Sequence, residues 1–137
     1  RQELRIVLDT NVLISGIFFT GPPNKILRAW KERKLQVVFS PDIYFEYVRV
    51  AELISSKYPN IEISEILNLM AVHAEIIQSS TLPDQVCEDP DDDKFIACAL
   101  SGKVDFIVSG DKKLLQLTEY EGIRILKPRT FCEEFID

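Results

Sequence analysis

Short apolar runs alternate with amphipathic stretches along this 137-residue chain, and the alternation predicts strands separated by helices. Arg5 to Leu8 and Leu35 to Phe39 are dominated by branched and aromatic residues and predict buried strands. Glu75 to Gln78, Asp105 to Ser109 and Gly122 to Leu126 predict three more. Pro22-Pro23 opens a helix to about Lys34, with Ile26, Leu27 and Trp30 on one face. Ser40-Pro41 supplies an N-cap and a first-turn proline for a helix to about Ser56. Ser64-Glu65 opens another, with Ile66, Leu67, Met70, Ala71 and Ala74 in register. Asp92 to Ser101 predicts a helix closed by Gly102, and Phe95, Ile96, Ala99 and Leu100 form its buried face. Lys112 to Leu117 and Arg129 to Ile136 predict the last two helices, and Ser79 to Gln85 a loop.

Strands alternating with helices, without hairpin signals, imply an α/β fold: a five-stranded parallel sheet between two helical layers, with right-handed crossovers. The length fits one domain over residues 1–137. At 46% apolar the chain can build a core, yet no apolar run reaches the roughly 20 residues of a membrane helix. Arg1 to Arg5 carries no leader-like segment. Cys87, Cys98 and Cys132 are odd in number and form no CxxC pair, which favours free thiols in the cytoplasm over disulfides or zinc. A net charge of −6 argues against a general polyanion binder, unless the negative charge is concentrated at one metal site.

In a doubly wound sheet, ligands bind beyond the carboxyl ends of the strands, and acids stand there. Asp9 follows the first strand directly, as a helix cap or as a site carboxylate. Glu46 is the only charge in Ile-Tyr-Phe-Glu-Tyr-Val, so it needs either a basic partner or a cation. Glu88-Asp-Pro-Asp-Asp-Asp93 is the densest acidic run, and its carboxylates cannot crowd together ionised without countercharge. Asp111 follows the fourth strand after Gly110, a residue suited to close backbone approach or positive φ. Oxygen ligands with no His or Cys among them suit Mg²⁺ or Mn²⁺, ions that bind phosphate and activate water. His73 is the sole histidine and fits a structural place.

Four short strings in order resemble the PIN-domain nucleases: Val-Leu-Asp9-Thr-Asn11, Glu46 after Ser40-Pro41, Asp93-Lys-Phe-Ile-Ala97 and Ser109-Gly-Asp111. The string from Asp89 to Phe95 resembles a microbial branch of toxins from toxin–antitoxin pairs. The resemblance implies sheet order 3-2-1-4-5 and cleavage of single-stranded RNA. It implies Asp9, Glu46, Asp93 and Asp111 as catalytic and metal-binding acids, with Asp92 a further ligand candidate. Asn11, Ser40 and Ser109 would orient them. An antitoxin protein and a homodimer are the expected partners, alongside RNA. Where such relatives often carry another acid, two residues after Asp111, this chain has Lys113. Lys25, Arg28, Lys94, Lys112, Lys113 and Arg129 are candidate RNA contacts. Rival readings are a catalytically weak PIN-like binding module and an aspartate-based phosphatase. The phosphatase would need an acid at Asn11.

Overall fold

The computed structural model describes residues 4–137, except for the side chains of Glu65 and Ile66. The expectations for Arg1 to Glu3 and for Ile66 therefore lie outside the described residues. Five parallel strands form the body of the sheet: β1 (Leu4–Leu8), β2 (Leu35–Phe39), β3 (Glu75–Ile76), β4 (Phe106–Val108) and, counting an edge strand β5 (Glu119–Tyr120), β6 (Ile123–Leu126). The order is β3-β2-β1-β4-β6-β5. Setting β5 aside, this is the expected 3-2-1-4-5 arrangement. The sixth strand is an addition: β5 pairs antiparallel with β6 through a two-residue turn in which Glu121 and Gly122 have φ of 49° and 86°. Both central residues thus adopt positive φ, as a type I′ hairpin requires. Glu-Gly is a weaker signal than Asn-Gly or Asp-Gly, which is why the pattern showed no hairpin.

The helices are α1 (Thr10–Phe18), α2 (Pro22–Lys31), α3 (Pro41–Ser55), α4 (Ser64–His73), α5 (Asp93–Gly102), α6 (Lys112–Leu115) and α7 (Pro128–Phe135). α5 packs across β2, β1 and β4, whereas α2 packs on β2, α1 and α7. The chain runs outward from β1 to β3, then returns past β1 to β4. Right-handed crossovers therefore place the helices that connect β1 to β3 and those that connect β3 to β6 on opposite faces, while α7, after the last strand, packs back against α2. The central strands are apolar on both sides, with Ile6, Val7, Leu8, Val37, Val38, Phe39, Ile107 and Val108 fully buried. Ile26, Leu27 and Trp30 enter this core as their spacing predicts. Three helix ends differ from expectation, the simplest being α6, which closes at Leu115 instead of Leu117. α2 stops at Lys31, and Arg33 then turns through φ 62°. Gly102 is the last helical residue of α5, and Lys103 takes the left-handed cap at φ 52°. Gly102 is instead a point of close approach, since a Cβ there would stand 3.0 Å from Val38 Cγ1.

At the amino edge of the sheet, Arg5 ties the two halves together. Its guanidinium forms a two-pronged ion pair with Glu75, including Nη2 to Oε2 at 3.0 Å, and donates to the Gly102 carbonyl at 2.6 Å. Its backbone N–H donates to Asp105. The hydrogen bond with Glu75 raises Arg5 and holds the Glu75 carboxyl below its ordinary value.

Gly16 marks the tightest helix contact. A Cβ there would lie 2.7 Å from Leu27 Cδ1 and 2.8 Å from the Pro23 carbonyl, so α1 and α2 would have to separate. Gly16→Ala is expected to cost about 1–3 kcal/mol through overpacking. Urea unfolding should show this as a lower midpoint at unchanged slope; an unshifted midpoint would contradict the packing described.

Candidate metal centre at the switch point

Strand order reverses between β1 and β4, so the carboxyl ends of these strands flank the crevice where such sheets bind ligands. The Asp9 N–H donates to the Val108 carbonyl at 3.0 Å, which fixes the two strand ends side by side. Asp9 stands at the N-cap position of α1, but its side chain does not cap the helix. Its carboxylate accepts instead from the buried Ser109 hydroxyl at 2.6 Å. Ser109 Oγ in turn accepts from the Asp111 N–H at 3.0 Å, giving a relay from Asp111 through Ser109 to Asp9. Asp9 is only 6% exposed. Burial raises its carboxyl, Ser109 and the nearby Asn11 N–H oppose the rise, and the charges of Asp111 and Glu46 add to it.

The acidic run divides its members among four tasks. Asp89 accepts from the Asp91 N–H at 3.0 Å and caps a 3₁₀ turn over Pro90–Asp92. Asp91 forms an ion pair with Lys94 at 3.0 Å. Asp93, the first residue of α5, accepts from the backbone N–H groups of Val86 and Cys87, at 3.1 and 2.7 Å. It thereby pins the preceding loop to the helix. Asp92 is the member that faces Asp9 and Asp111. Burial, followed by hydrogen bonding and repulsion from Asp111, pushes its carboxyl up to about 7. Its Oδ2 is buried with no hydrogen-bond partner.

Of the acids singled out in the sequence, Asp92 neighbours Asp111, and the charges of Asp111, Asp9 and Glu46 are felt within this group. Asp93 turns toward the loop backbone. Helix geometry explains the exchange: adjacent residues at a helix start point about 100° apart, so only one of Asp92 and Asp93 can face the crevice. Asp111 also caps α6, accepting from the Lys113 N–H at 3.2 Å. Glu46 accepts from the buried Thr10 hydroxyl and pairs with Lys94 at 2.6 Å. Ser109 orients Asp9 as its position suggests. Ser40 does not reach these acids; its hydroxyl donates to Asp42. Asn11 is exposed. Gly110 has neither positive φ nor a close neighbour, so neither expected use of it applies.

Thr10 and Tyr47 were not singled out as site residues. Thr10 holds one oxygen of Glu46, and the buried Tyr47 hydroxyl donates to the Leu8 carbonyl, immediately before Asp9. The signal for Thr10 was its place beside Asp9; Tyr47 shares α3 with Glu46, one residue on. Cys87, Cys98 and Cys132 are free and buried. Burial pushes the Cys87 and Cys98 thiols up to about 12 and about 11, so neither is a ready thiolate. Of the basic residues expected near RNA, Lys94 is bound internally, Lys25 pairs with Asp137 at 3.3 Å, and Lys113 approaches Glu88 at 3.9 Å.

The donor set suits a hard divalent cation: oxygen ligands only, mutually repelling, one with a bare buried oxygen. Among the described residues, no three His, Cys, Asp or Glu side chains form a ready-made cage, and no lysine or arginine pairs with Asp9, Asp92 or Asp111. No helix of the described residues is long and apolar enough to cross a membrane.

Acidic side chains beyond the switch point of a 3-2-1-4-5 parallel sheet occur in several α/β families, and sequence comparison decides among them. The PIN-domain profile matches residues 5–113, and this chain belongs to that family of nucleases. An uncharacterized protein of Methanocaldococcus jannaschii is 33% identical over 145 aligned positions, spanning 97% of this chain and 92% of the relative.

The raised carboxyls make metal-free stability depend on pH. Asp92 rises from 3.8 in the unfolded chain to about 7 in the fold. Its bound proton therefore favours the native state fully below the lower value, and that contribution is lost as pH climbs through the upper one. Glu75 acts with the opposite sign, so the comparison must be with a variant. In EDTA, the urea midpoint of Asp92→Asn is expected to fall less between pH 5 and pH 8 than that of the unaltered protein. Parallel profiles would remove Asp92 from the crowded site.

Proposed function

We propose that this protein is a metal-dependent endoribonuclease acting on single-stranded RNA, with Mg²⁺ or Mn²⁺ held by Asp9, Asp92 and Asp111. The observation that carries this reading is the meeting of these three carboxylates, without a basic partner, where the strand order reverses. Glu46 stands beside them. A bound dication supplies an activated water and neutralises charge on the phosphodiester. The protein's own contribution is placement. Ser109 orients Asp9, the Asp111 N–H orients Ser109, and Tyr47 holds the strand end through Leu8. Such outer contacts set the direction and basicity of ligands. Asp93 serves as a positioning residue that fixes the loop from which Asp92 projects.

RNA contact on an acidic protein requires local positive charge. Lys112 begins the short helix after Asp111, and Arg28 and Arg129 are further basic residues with a potential role. The toxin role in a toxin–antitoxin pair, with an antitoxin partner and a homodimeric assembly, is supported by the likeness of the string from Asp89 to Phe95. A cytoplasmic location accords with three free cysteines.

Cleavage of a labelled single-stranded RNA in Mn²⁺ tests the reading. Asp9→Asn and Asp92→Asn are each expected to lose about a hundredfold or more in rate, because each removes a cation ligand. Asp93→Asn keeps an oxygen for the Val86 and Cys87 N–H groups and should stay within about tenfold of the unaltered rate. A fully active Asp9→Asn protein would refute the nuclease reading. An inactive but folded Asp93→Asn protein beside an active Asp92→Asn protein would return the ligand role to Asp93.

A further inference from the structure

Among the described residues, Lys94 is the cation that reaches the carboxylates of this site. Its Nζ lies 2.6 Å from Glu46 and 3.0 Å from Asp91, and it donates to the Asp91 carbonyl at 3.1 Å. The side chains of Lys94 and Glu46 are only 14% and 16% exposed, so solvent screens this pair little; Asp91 is 76% exposed. Burial alone would lower the Lys94 ammonium, but its bonds to Glu46 and Asp91 more than offset this and keep it charged. Thr10 occupies the second Glu46 oxygen. Both oxygens of Glu46 are thus engaged, whereas Asp92 keeps a bare one.

Resting on the metal-site reading above, we propose that Lys94 is an internal counter-ion that keeps Glu46 out of the coordination of an entering dication. Asp9, Asp92 and Asp111 then bind the ion first, and Glu46 becomes available only when Lys94 leaves it. An ammonium and a dication repel each other and compete for the same carboxylate, so the two cannot share Glu46 without cost. Asp91 makes the exchange feasible. Lys94 already touches it, so leaving Glu46 does not strand the ammonium without a partner. The phosphodiester of an RNA substrate is a second anion toward which the freed ammonium can turn.

Mn²⁺ titration without RNA, followed by calorimetry and by the electron paramagnetic resonance of free ion, tests this with four proteins (unaltered, Lys94→Met, Glu46→Gln and the double variant), and with Asp9→Asn as the reference for a lost ligand. Lys94→Met should bind Mn²⁺ roughly tenfold tighter, because it frees a carboxylate and removes a competing charge. Glu46→Gln alone should stay within about twofold of the unaltered protein, and in the double variant the gain from Lys94→Met should shrink to the roughly twofold or smaller part owed to the lost charge. Equal affinities in the unaltered and Lys94→Met proteins would overturn the counter-ion role while leaving the metal site standing. So would a Glu46→Gln loss as large as that of Asp9→Asn. That comparison also decides the matter if Lys94→Met does not fold. Failure of all four proteins to bind Mn²⁺ would overturn the metal site and this inference together.

Discussion

Burial of carboxylates near one another at the carboxyl ends of the strands is the constraint on which this site depends. Burial makes an ionised carboxylate costly, and a second nearby makes it costlier. Asp9 and Asp92 both respond with raised pKa values. The remaining charges are disposed so that the tension stays local. Glu46 is neutralised by Lys94, Asp93 is consumed by backbone N–H groups, and Asp89 is spent on a cap. Asp9, Asp92 and Asp111 are left without a basic partner among the described residues.

The two edges of the sheet are electrostatic opposites. At the amino edge, Arg5, Glu75 and the Gly102 carbonyl satisfy each other within the protein, and the pair fastens β1, β3 and α5 together. At the carboxyl edge, neutral donors serve the acids: Ser109 donates to Asp9 and Thr10 to Glu46, while the Asp111 N–H orients the Ser109 hydroxyl. Neutral donors orient carboxylates without discharging them. Closed ion pairing at one edge thus fixes the frame, whereas at the other Asp9, Asp92 and Asp111 have no basic partner among the described residues. The apolar centre of the sheet connects the two.

Much of the fold was legible because it rests on local periodicity. β2 has its predicted bounds and the buried face of α2 follows its apolar spacing, whereas α5 is buried continuously from Phe95 to Ala99 with Leu100 only half-buried, because it lies across the middle of the sheet. Sheet order followed from the family resemblance. The hairpin was missed because its turn uses Glu121, a residue that seldom adopts positive φ and so leaves no compositional mark. The α5 cap was misplaced because Gly102 serves helix packing and the adjacent Lys103 accepts the left-handed conformation.

The amino-acid sequence by itself determined the number of main strands, the alternation with helices and the presence of acids at strand ends, because these depend on residue type and near neighbours. It also marked Glu46 as a charge in need of a partner. Tertiary structure decided what each acid does. Asp91, Asp92 and Asp93 are identical in chemistry and adjacent in sequence, yet one meets a lysine, one meets other carboxylates and one meets backbone N–H groups. The physical reason is direction: successive side chains at a helix start diverge, and what each encounters is supplied by segments distant in the chain.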